Sequence, residues 1–258
     1  MGTMRIDINS DVGESYGAWT MGDDEALMPH VTSASVACGW HAGDPAVMRK
    51  TIRLAKRHGV RIGAHPGYPD RLGFGRRPMQ LSPEETRDYI LYQIGALDAF
   101  ARAEGLRLQH VKPHGALYHA AVKDRSVARG IAEGVAEADP ALILVGAPGS
   151  ELVQAGQEVG LRVASEGFAD RAYEEDGSLV SRRQPGAVLT DPEAVADQVL
   201  MMLEGKVRAI GGRVIAIRVD TICLHGDTPG AAAIARRLRE RLAQAHVPAV
   251  ALDELLGH

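Results

Sequence analysis

Short apolar runs alternate along this chain with stretches that carry helix start and stop signals. The runs are Met4–Ile8, Ser33–Cys38, Arg61–Ala64, Leu106–Val111, Leu142–Val145, Leu161–Ala164 and Arg213–Leu224, with Val188–Leu189 a weaker member. Between them, Asp44-Pro45 reads as an N-cap and first helical residue, with Gly59 as the stop. Ser82-Pro83-Glu84-Glu85 has the spacing of a capping box, and Gly105 closes that helix. Asp191-Pro192 opens a helix that Gly205 ends, Thr228-Pro229 opens the last long one, and Asp124 and Ser150 are weaker caps. Strands alternating with helices require a parallel sheet. Seven or eight such units within 258 residues have the spacing of an α/β barrel. The expected fold is an irregular (β/α) TIM-like barrel of 7–8 mainly parallel strands, formed as a single domain over residues 1–258. An open doubly wound sheet is the other arrangement, but no Gly-rich dinucleotide turn follows Ile8.

Two connections exceed simple turns. His65–Leu81 is rich in Gly, Pro and Arg, and Glu166–Thr190 is polar without helical periodicity. Loops of that length usually serve as lids or stay disordered.

Four of the apolar runs stop at a histidine set among Gly, Pro or Asp: His41, His65, His114 and His225. In a parallel α/β fold the C-terminal strand ends share one crevice. Four histidines from four distant segments therefore predict a common site, although each alone reads more simply as a hydrogen-bonded turn residue. The same strand ends add Asn9, Asp11 and Glu14, then Lys112, then Glu166, Asp170 and Arg171, and finally Asp220 and Asp227. Asp7, Asn9 and Asp11 alternate, so they share one face of an extended strand. Lys112 interrupts an apolar run, where an unpaired charge is costly. Asp44 and Thr228 start helices beside His41 and His225, which turns helix N-termini toward this face and favours anions. Arg171 has the geometry to grip a carboxylate or phosphate. The histidines suit general acid–base work or metal ligation with Asp11 or Glu14. Spacing does not choose between these, since neither HExxH nor a clustered Cys/His set is present. Cys38 and Cys223 read as small buried thiols, and neither a GxSxG elbow nor a Walker loop occurs.

Bulk properties remove several function classes. The net charge of -4 gives no electrostatic case for nucleic acid or anionic membrane. No stretch approaches the roughly 20 apolar residues of a membrane span, and the N-terminus shows no secretory leader. Two cysteines make no disulfide framework, so a cytoplasmic setting is expected.

Taken together, Asp7-Ile8-Asn9-Ser10-Asp11-Val12-Gly13-Glu14, Ala37-Cys38-Gly39-Trp40-His41-Ala42-Gly43-Asp44, Gly63-Ala64-His65-Pro66-Gly67-Tyr68-Pro69-Asp70, Val111-Lys112-Pro113-His114-Gly115-Ala116-Leu117-Tyr118 and Cys223-Leu224-His225-Gly226-Asp227 resemble the LamB/YcsF family of 5-oxoprolinase A subunits. Glu166-Gly167-Phe168-Ala169-Asp170-Arg171-Ala172-Tyr173 with Asp176-Gly177-Ser178-Leu179 and Arg182-Arg183 also matches, so the resemblance runs from Arg5 to about Leu255. The chain has Ser35 where the family often has asparagine and Trp40 where phenylalanine is frequent.

The resemblance implies a barrel similar to that of glycoside hydrolases and deacetylases. It also implies ATP-dependent opening of 5-oxo-L-proline to L-glutamate, with partner subunits B and C and Mg²⁺ accompanying the nucleotide. On that reading Asp11 and Glu14 serve metal or water, with His65 a further metal candidate. Lys112 and Arg171 bind anions, and His41, His65, His114 and His225 handle protons. Asn9, Asp44, Glu166 and Asp227 contact substrate. The alternatives are a metal-dependent amide or carbohydrate hydrolase that needs no ATP, and a non-catalytic regulatory subunit.

Overall fold

The alternation of apolar runs and capped helices closes into a ring. A computed structural model describes residues 4–257. Met1-Gly2-Thr3, read above for a leader, lies outside the described residues. The strands are β1 (Asp7–Val12), β2 (Ser33–Ala37), β3 (Arg61–His65), β4 (Leu108–Val111), β5 (Ile143–Gly146), β6 (Arg162–Phe168), β7 (Lys206–Arg208), β8 (Val214–Ala216) and β9 (Thr221–His225). Seven of them form a closed parallel barrel in the order β1-β2-β3-β4-β5-β6-β9. The pair β7-β8 is a separate antiparallel hairpin.

Several boundaries differ from expectation for local reasons. Arg213–Leu224 is not one strand. It divides into β8 and β9 because Asp220 leaves the apolar pattern: its backbone N–H donates to Ser165 O at 2.7 Å, and its carboxylate accepts from Ser165 N at 2.8 Å, which puts Asp220 before the start of β9 and not at the strand end expected of it. The first strand starts at Asp7 rather than Met4. β6 runs to Phe168, which takes Glu166 out of the expected loop and into the barrel wall. Its last residues close the ring through Glu166↔Thr221, Gly167↔Ile222 and Phe168↔Cys223. Val188–Leu189 is no strand; Val188 makes only a bridge to Arg171.

The main helices are α1 (Asp24–Leu27), α2 (Pro45–His58), α3 (Pro83–Ala103), α4 (Gly115–Lys123), α5 (Arg125–Ala138), α6 (Glu151–Glu158), α7 (Pro192–Leu203), α8 (Ala231–Gln244) and α9 (Leu252–Leu256). The Asp44, Ser82, Asp124, Ser150 and Asp191 caps all form. Thr228 does not cap α8. Gly230, in the left-handed region, is the N-cap, and the Thr228 hydroxyl donates to Asp170 instead.

Period-2 alternation sorts each strand. Ile8, Ala34, Val36, Ile62, Ala64 and Val111 join the large apolar core packed under the helices. Their neighbours Asp7, Asn9, Asp11, Ser33, Ser35, His65, His110 and Lys112 are buried on the other face, so the lumen is polar where barrels usually stack branched aliphatics. Gly63 makes this possible: a Cβ there would stand 2.4 Å from the His110 ring, which is bonded to Ser35 Oγ at 3.0 Å.

Candidate active site

The polar lumen rises to the C-terminal strand ends. At its lower level lies Asp7, whose carboxylate accepts from Thr32 Oγ1 at 2.7 Å, Ser33 Oγ at 2.6 Å and Thr221 Oγ1. Burial raises this carboxyl to about 6 against those hydroxyls. Protonation is accommodated because Thr32 Oγ1 has a second acceptor in Ile8 O at 3.1 Å, and Ser33 Oγ one in Gln109 Oε1 at 3.1 Å. A carboxyl raised in the folded state stabilises the protein fully below its unfolded value of 3.8, and that contribution is lost as pH rises through about 6. We therefore expect Asp7→Asn to gain on the parent by up to roughly 3 kcal/mol between pH 4 and 7, measured as the difference between denaturation curves. A difference that stays flat with pH refutes it.

Above Asp7, Lys112 is the hub. It is 2% exposed, and Nζ lies 2.5 Å from Asp11 Oδ1 and 3.2 Å from Glu166 Oε1. It donates to Asn9 Oδ1 at 3.0 Å and to Cys223 Sγ at 3.1 Å. Asn9 Nδ2 in turn donates to Glu166 Oε1 at 3.0 Å and Thr221 Oγ1 at 2.7 Å. Burial opposes the ammonium, but Asp11, Cys223 and Glu166 outweigh it and hold Lys112 well above its ordinary range. Burial likewise opposes the Asp11 charge, yet His65 and Lys112 keep its carboxylate well below the usual range. The Asp11–Lys112 contact is a close, buried ion pair. The Tyr118 hydroxyl is buried beside Glu166, and burial together with that carboxylate pushes it well above its ordinary range.

To one side of Lys112 lie three of the four histidines. His65 Nδ1 donates to Lys112 O at 2.7 Å, and His114 Nε2 donates to Phe74 O at 2.8 Å. His65 Nε2 is 3.0 Å from His114 Nδ1 and 3.3 Å from Asp11 Oδ2. Behind them His41 Nε2 meets Glu14 Oε1 at 3.2 Å. Burial pushes His41 and His114 down into their neutral forms, and burial, reinforced by the Asp11 and Asp227 charges, pushes Glu14 well up.

His225 lies apart from the other three histidines. Its Nδ1 donates to Asp170 Oδ1 at 2.8 Å, and its ring stacks on Phe168 at 5.5 Å. Asp170 is fully buried; His225 and the Thr228 hydroxyl overcome the burial and hold its carboxyl low. With Nδ1–H committed, the free lone pair of a neutral His225 is on Nε2. That is the arrangement of a general base oriented by a carboxylate.

Asp11, His65, Lys112, His114, Glu166 and His225 line one cavity of about 490 Å³, within the usual range for a small-molecule site. Arg76, Arg171, Arg182 and Arg183 add cationic lining. A larger neighbouring cavity of about 1130 Å³ shares Tyr118, His119, Glu166, Phe168 and Leu179, but Lys112, His65, His114 and His225 line only the smaller one.

Of the other expected site residues, Asn9, Glu14 and His41 are buried behind the cavity wall, and Asp44, Arg171 and Asp227 are engaged in other contacts. Asp44 is occupied as the α2 cap, accepting from Ala46 N, Val47 N and Gly17 N, so it consumes the amides expected to attract anions. Arg171 reaches the cavity wall but donates to Val180 O at 2.6 Å and Ala187 O at 3.2 Å, bracing its own loop; burial lowers it to about 10. Asp227 is on the rim, paired with Arg76 at 2.7 Å. Asp170 was read from sequence as a strand-end residue but not as the orienter of His225, and Arg76 and Arg182 were given no role at the mouth. No local pattern links Asp170 to a histidine 55 positions away.

Among the described residues two groups have metal-capable atoms within 4.8 Å of one another: Glu14, His41, His65 and His114, and Asp11, Cys223 and His225. Both cysteines are free and buried, and burial lifts Cys38 to about 12 and Cys223 well above its ordinary range, so both are inert as thiolate nucleophiles.

The chain is 56% identical over 254 residues to the 5-oxoprolinase A subunit of Pyrococcus furiosus, covering 98% of this chain and 100% of that one. It is 58% identical over 253 residues to the protein of the same name from Methylococcus capsulatus, covering 98% and 97%. The crystal structure of a lactam utilization protein from Thermus thermophilus superposes with a TM-score of 0.91 at 52% identity, over 96% of this chain and 100% of that one. A T48 deacetylase solved with its substrate shares the fold alone, with a TM-score of 0.52 at 13% identity over 98% of this chain and 91% of that one. The LamB/YcsF family profile matches residues 6–257, the span that carries every strand of the barrel and every residue of the cavity, and the chain belongs to that family.

Proposed function

We propose that this chain is the A subunit of a 5-oxoprolinase, opening the lactam of 5-oxo-L-proline to L-glutamate with conversion of ATP to ADP and phosphate, together with subunits B and C. The observation that carries the reading is the single cavity that combines the oriented base His225, the fixed cation Lys112 and rim guanidinium groups. The whole-chain relatives named above support it.

In this reading Arg76 and Arg182 face the anionic groups, the substrate carboxylate and the nucleotide phosphates. ATP, when bound, would supply the phosphoryl group that activates the lactam carbon, with Mg²⁺ accompanying the nucleotide; one water adds to that carbon, the ring nitrogen departs with a proton to leave an acyl phosphate, and a second water releases the phosphate. Lys112 lies where negative charge develops on the lactam oxygen. His225 takes a proton from the attacking water. His225, once protonated, is placed to pass that proton to the departing ring nitrogen. Glu166 and the Tyr118 hydroxyl, buried beside one another at the cavity wall, are placed to fix the lactam N–H and carbonyl. The free buried cysteines fit a reducing, cytoplasmic setting; among the described residues no helix is long and apolar enough to cross a membrane.

The test is glutamate release from 5-oxoproline. We expect turnover only with ATP and all three subunits present. No glutamate from the complete set refutes the proposal. Glutamate from this chain alone without ATP would favour the metal-dependent amide hydrolase, the reading to which the His–Glu cluster lends weight.

A further inference from the structure

The His65–His114 contact poses a problem that neutral side chains do not solve. A backbone carbonyl only accepts, so the 2.7 Å bond to Lys112 O places a proton on His65 Nδ1, and the 2.8 Å bond to Phe74 O places one on His114 Nε2. Each neutral ring then presents a lone pair at its other nitrogen. Those two nitrogens face each other at 3.0 Å. Two lone pairs at that distance repel, so the geometry calls for a positive centre that both can share.

The surroundings favour a metal ion as that centre. Glu14 Oε1 lies 3.5 Å from His114 Nδ1, and the ligand atoms of Glu14, His65 and His114 all fall within 4.8 Å of one another. Ligands about 2.0–2.1 Å from a tetrahedral ion are separated by roughly 3.3 Å. The His65 and His114 rings stand at 88°, so their planes intersect and one ion can lie in both. His41 differs: its ring is stacked on His114 at 3.7 Å with only 4° between planes. One ion cannot lie in two parallel planes, so His41 is a positioning residue that holds Glu14. The outer nitrogens of both candidate ligands donate to backbone carbonyls, the usual outer shell of a metal-bound histidine. All three candidates are at most 7% exposed. The loop after β3 closes over them so tightly that a Cβ on Gly75, at φ +63°, would stand 2.8 Å from the His114 ring.

Charge is also arranged for a cation. Asp11 stands between Lys112 and His65, with Oδ1 toward the ammonium at 2.5 Å and Oδ2 toward the imidazole at 3.3 Å, so it screens one positive centre from the other. Two imidazoles and a carboxylate suit zinc, cobalt or nickel rather than magnesium or calcium, which take all-oxygen shells.

We propose that Glu14, His65 and His114 bind one divalent transition-metal ion of the zinc class, leaving an open coordination position. This inference does not rest on the lactamase reading, because its test measures binding. Full-length protein is stripped with a chelator and titrated with Zn²⁺ by calorimetry, and with Co²⁺ by visible absorption. The expected result is one ion per chain, with the intense d–d bands of low-coordinate cobalt and no sulfur charge-transfer band. Zinc should raise the melting temperature of the parent, and chelator should reverse it. His114→Gln and Glu14→Gln should each weaken binding at least tenfold, while His225→Asn leaves it unchanged.

Failure of the parent to bind stoichiometric metal overturns the proposal and leaves a shared proton between the two imidazoles. Metal retained in His114→Gln but lost in His225→Asn, or a sulfur charge-transfer band, also overturns it and moves the ion to Asp11, Cys223 and His225.

Discussion

Lys112→Met is expected to lower stability by about 3–5 kcal/mol and to stop glutamate release. The side chain is close in length, so the loss is one of charge rather than volume. In the parent, the ammonium stands against Asp11 and Glu166 in a fully buried lumen. Removing one partner of a buried ion pair leaves the other charge uncompensated, and that penalty is of the stated size. For a domain of this length it corresponds to a melting-temperature drop on the order of 10 °C. Pairing Lys112→Met with Asp11→Asn removes both charges and should recover part of the loss, so the double variant is more stable than the sum of the singles predicts. Lys112→Arg should not rescue the single variant. A planar guanidinium cannot occupy a point where Asn9, Asp11, Glu166 and Cys223 converge on one ammonium. In the reconstituted enzyme the rate should fall by at least about 10²-fold, the usual cost of removing a preorganised positive donor. Full turnover from a folded Lys112→Met protein would refute its catalytic role and support a regulatory subunit.

The parts of this site that were legible in sequence are those fixed by short-range rules. Alternation placed Asp7, Asn9 and Asp11 on one face of a strand, and in the fold all three point into the lumen, where Asn9 and Asp11 meet Lys112. The helix caps at Asp44, Ser82, Asp124, Ser150 and Asp191 depend on a few neighbouring residues and formed as read. Long-range choices were not legible. Nothing local shows that Glu166 belongs to a strand, because its pairing with Thr221 is what closes the barrel. Arg171 has the same composition whether it grips a ligand or braces a loop; only the positions of Val180 O and Ala187 O decide for the brace. Asp44 shows the cost of using one residue for two arguments: a carboxylate that satisfies the helix amides cannot also leave them open for an anion. The four histidine turns converge on one end of the barrel, but they divide into a cluster of three and a lone His225, which only the third dimension separates.

That division makes Asp170 the most informative residue to change. Its two oxygens accept from His225 Nδ1 at 2.8 Å and from the Thr228 hydroxyl. Asparagine has the same shape but only one accepting oxygen. If its amide nitrogen faces His225, the ring must turn its proton to Nε2, and the lone pair leaves the cavity. If it faces Thr228, the imidazolium formed during proton transfer loses its counter-charge. Either way kcat for glutamate release should fall by roughly 10²–10⁴-fold with KM little changed, the range for disabling an oriented base. Thr228→Val removes one hydrogen bond without altering charge, so its rate should stay within about tenfold of the parent. Stability gives an independent check with a defined sign. The Asp170 carboxyl is held low in the folded state, so its contribution is present above the ordinary carboxylate value and is lost as pH falls. The deficit of Asp170→Asn relative to the parent should therefore shrink as denaturation curves are taken from pH 7 toward pH 3. A deficit that persists at low pH together with an unchanged kcat would mean that Asp170 only fastens its loop to β9 and that His225 is not the oriented base.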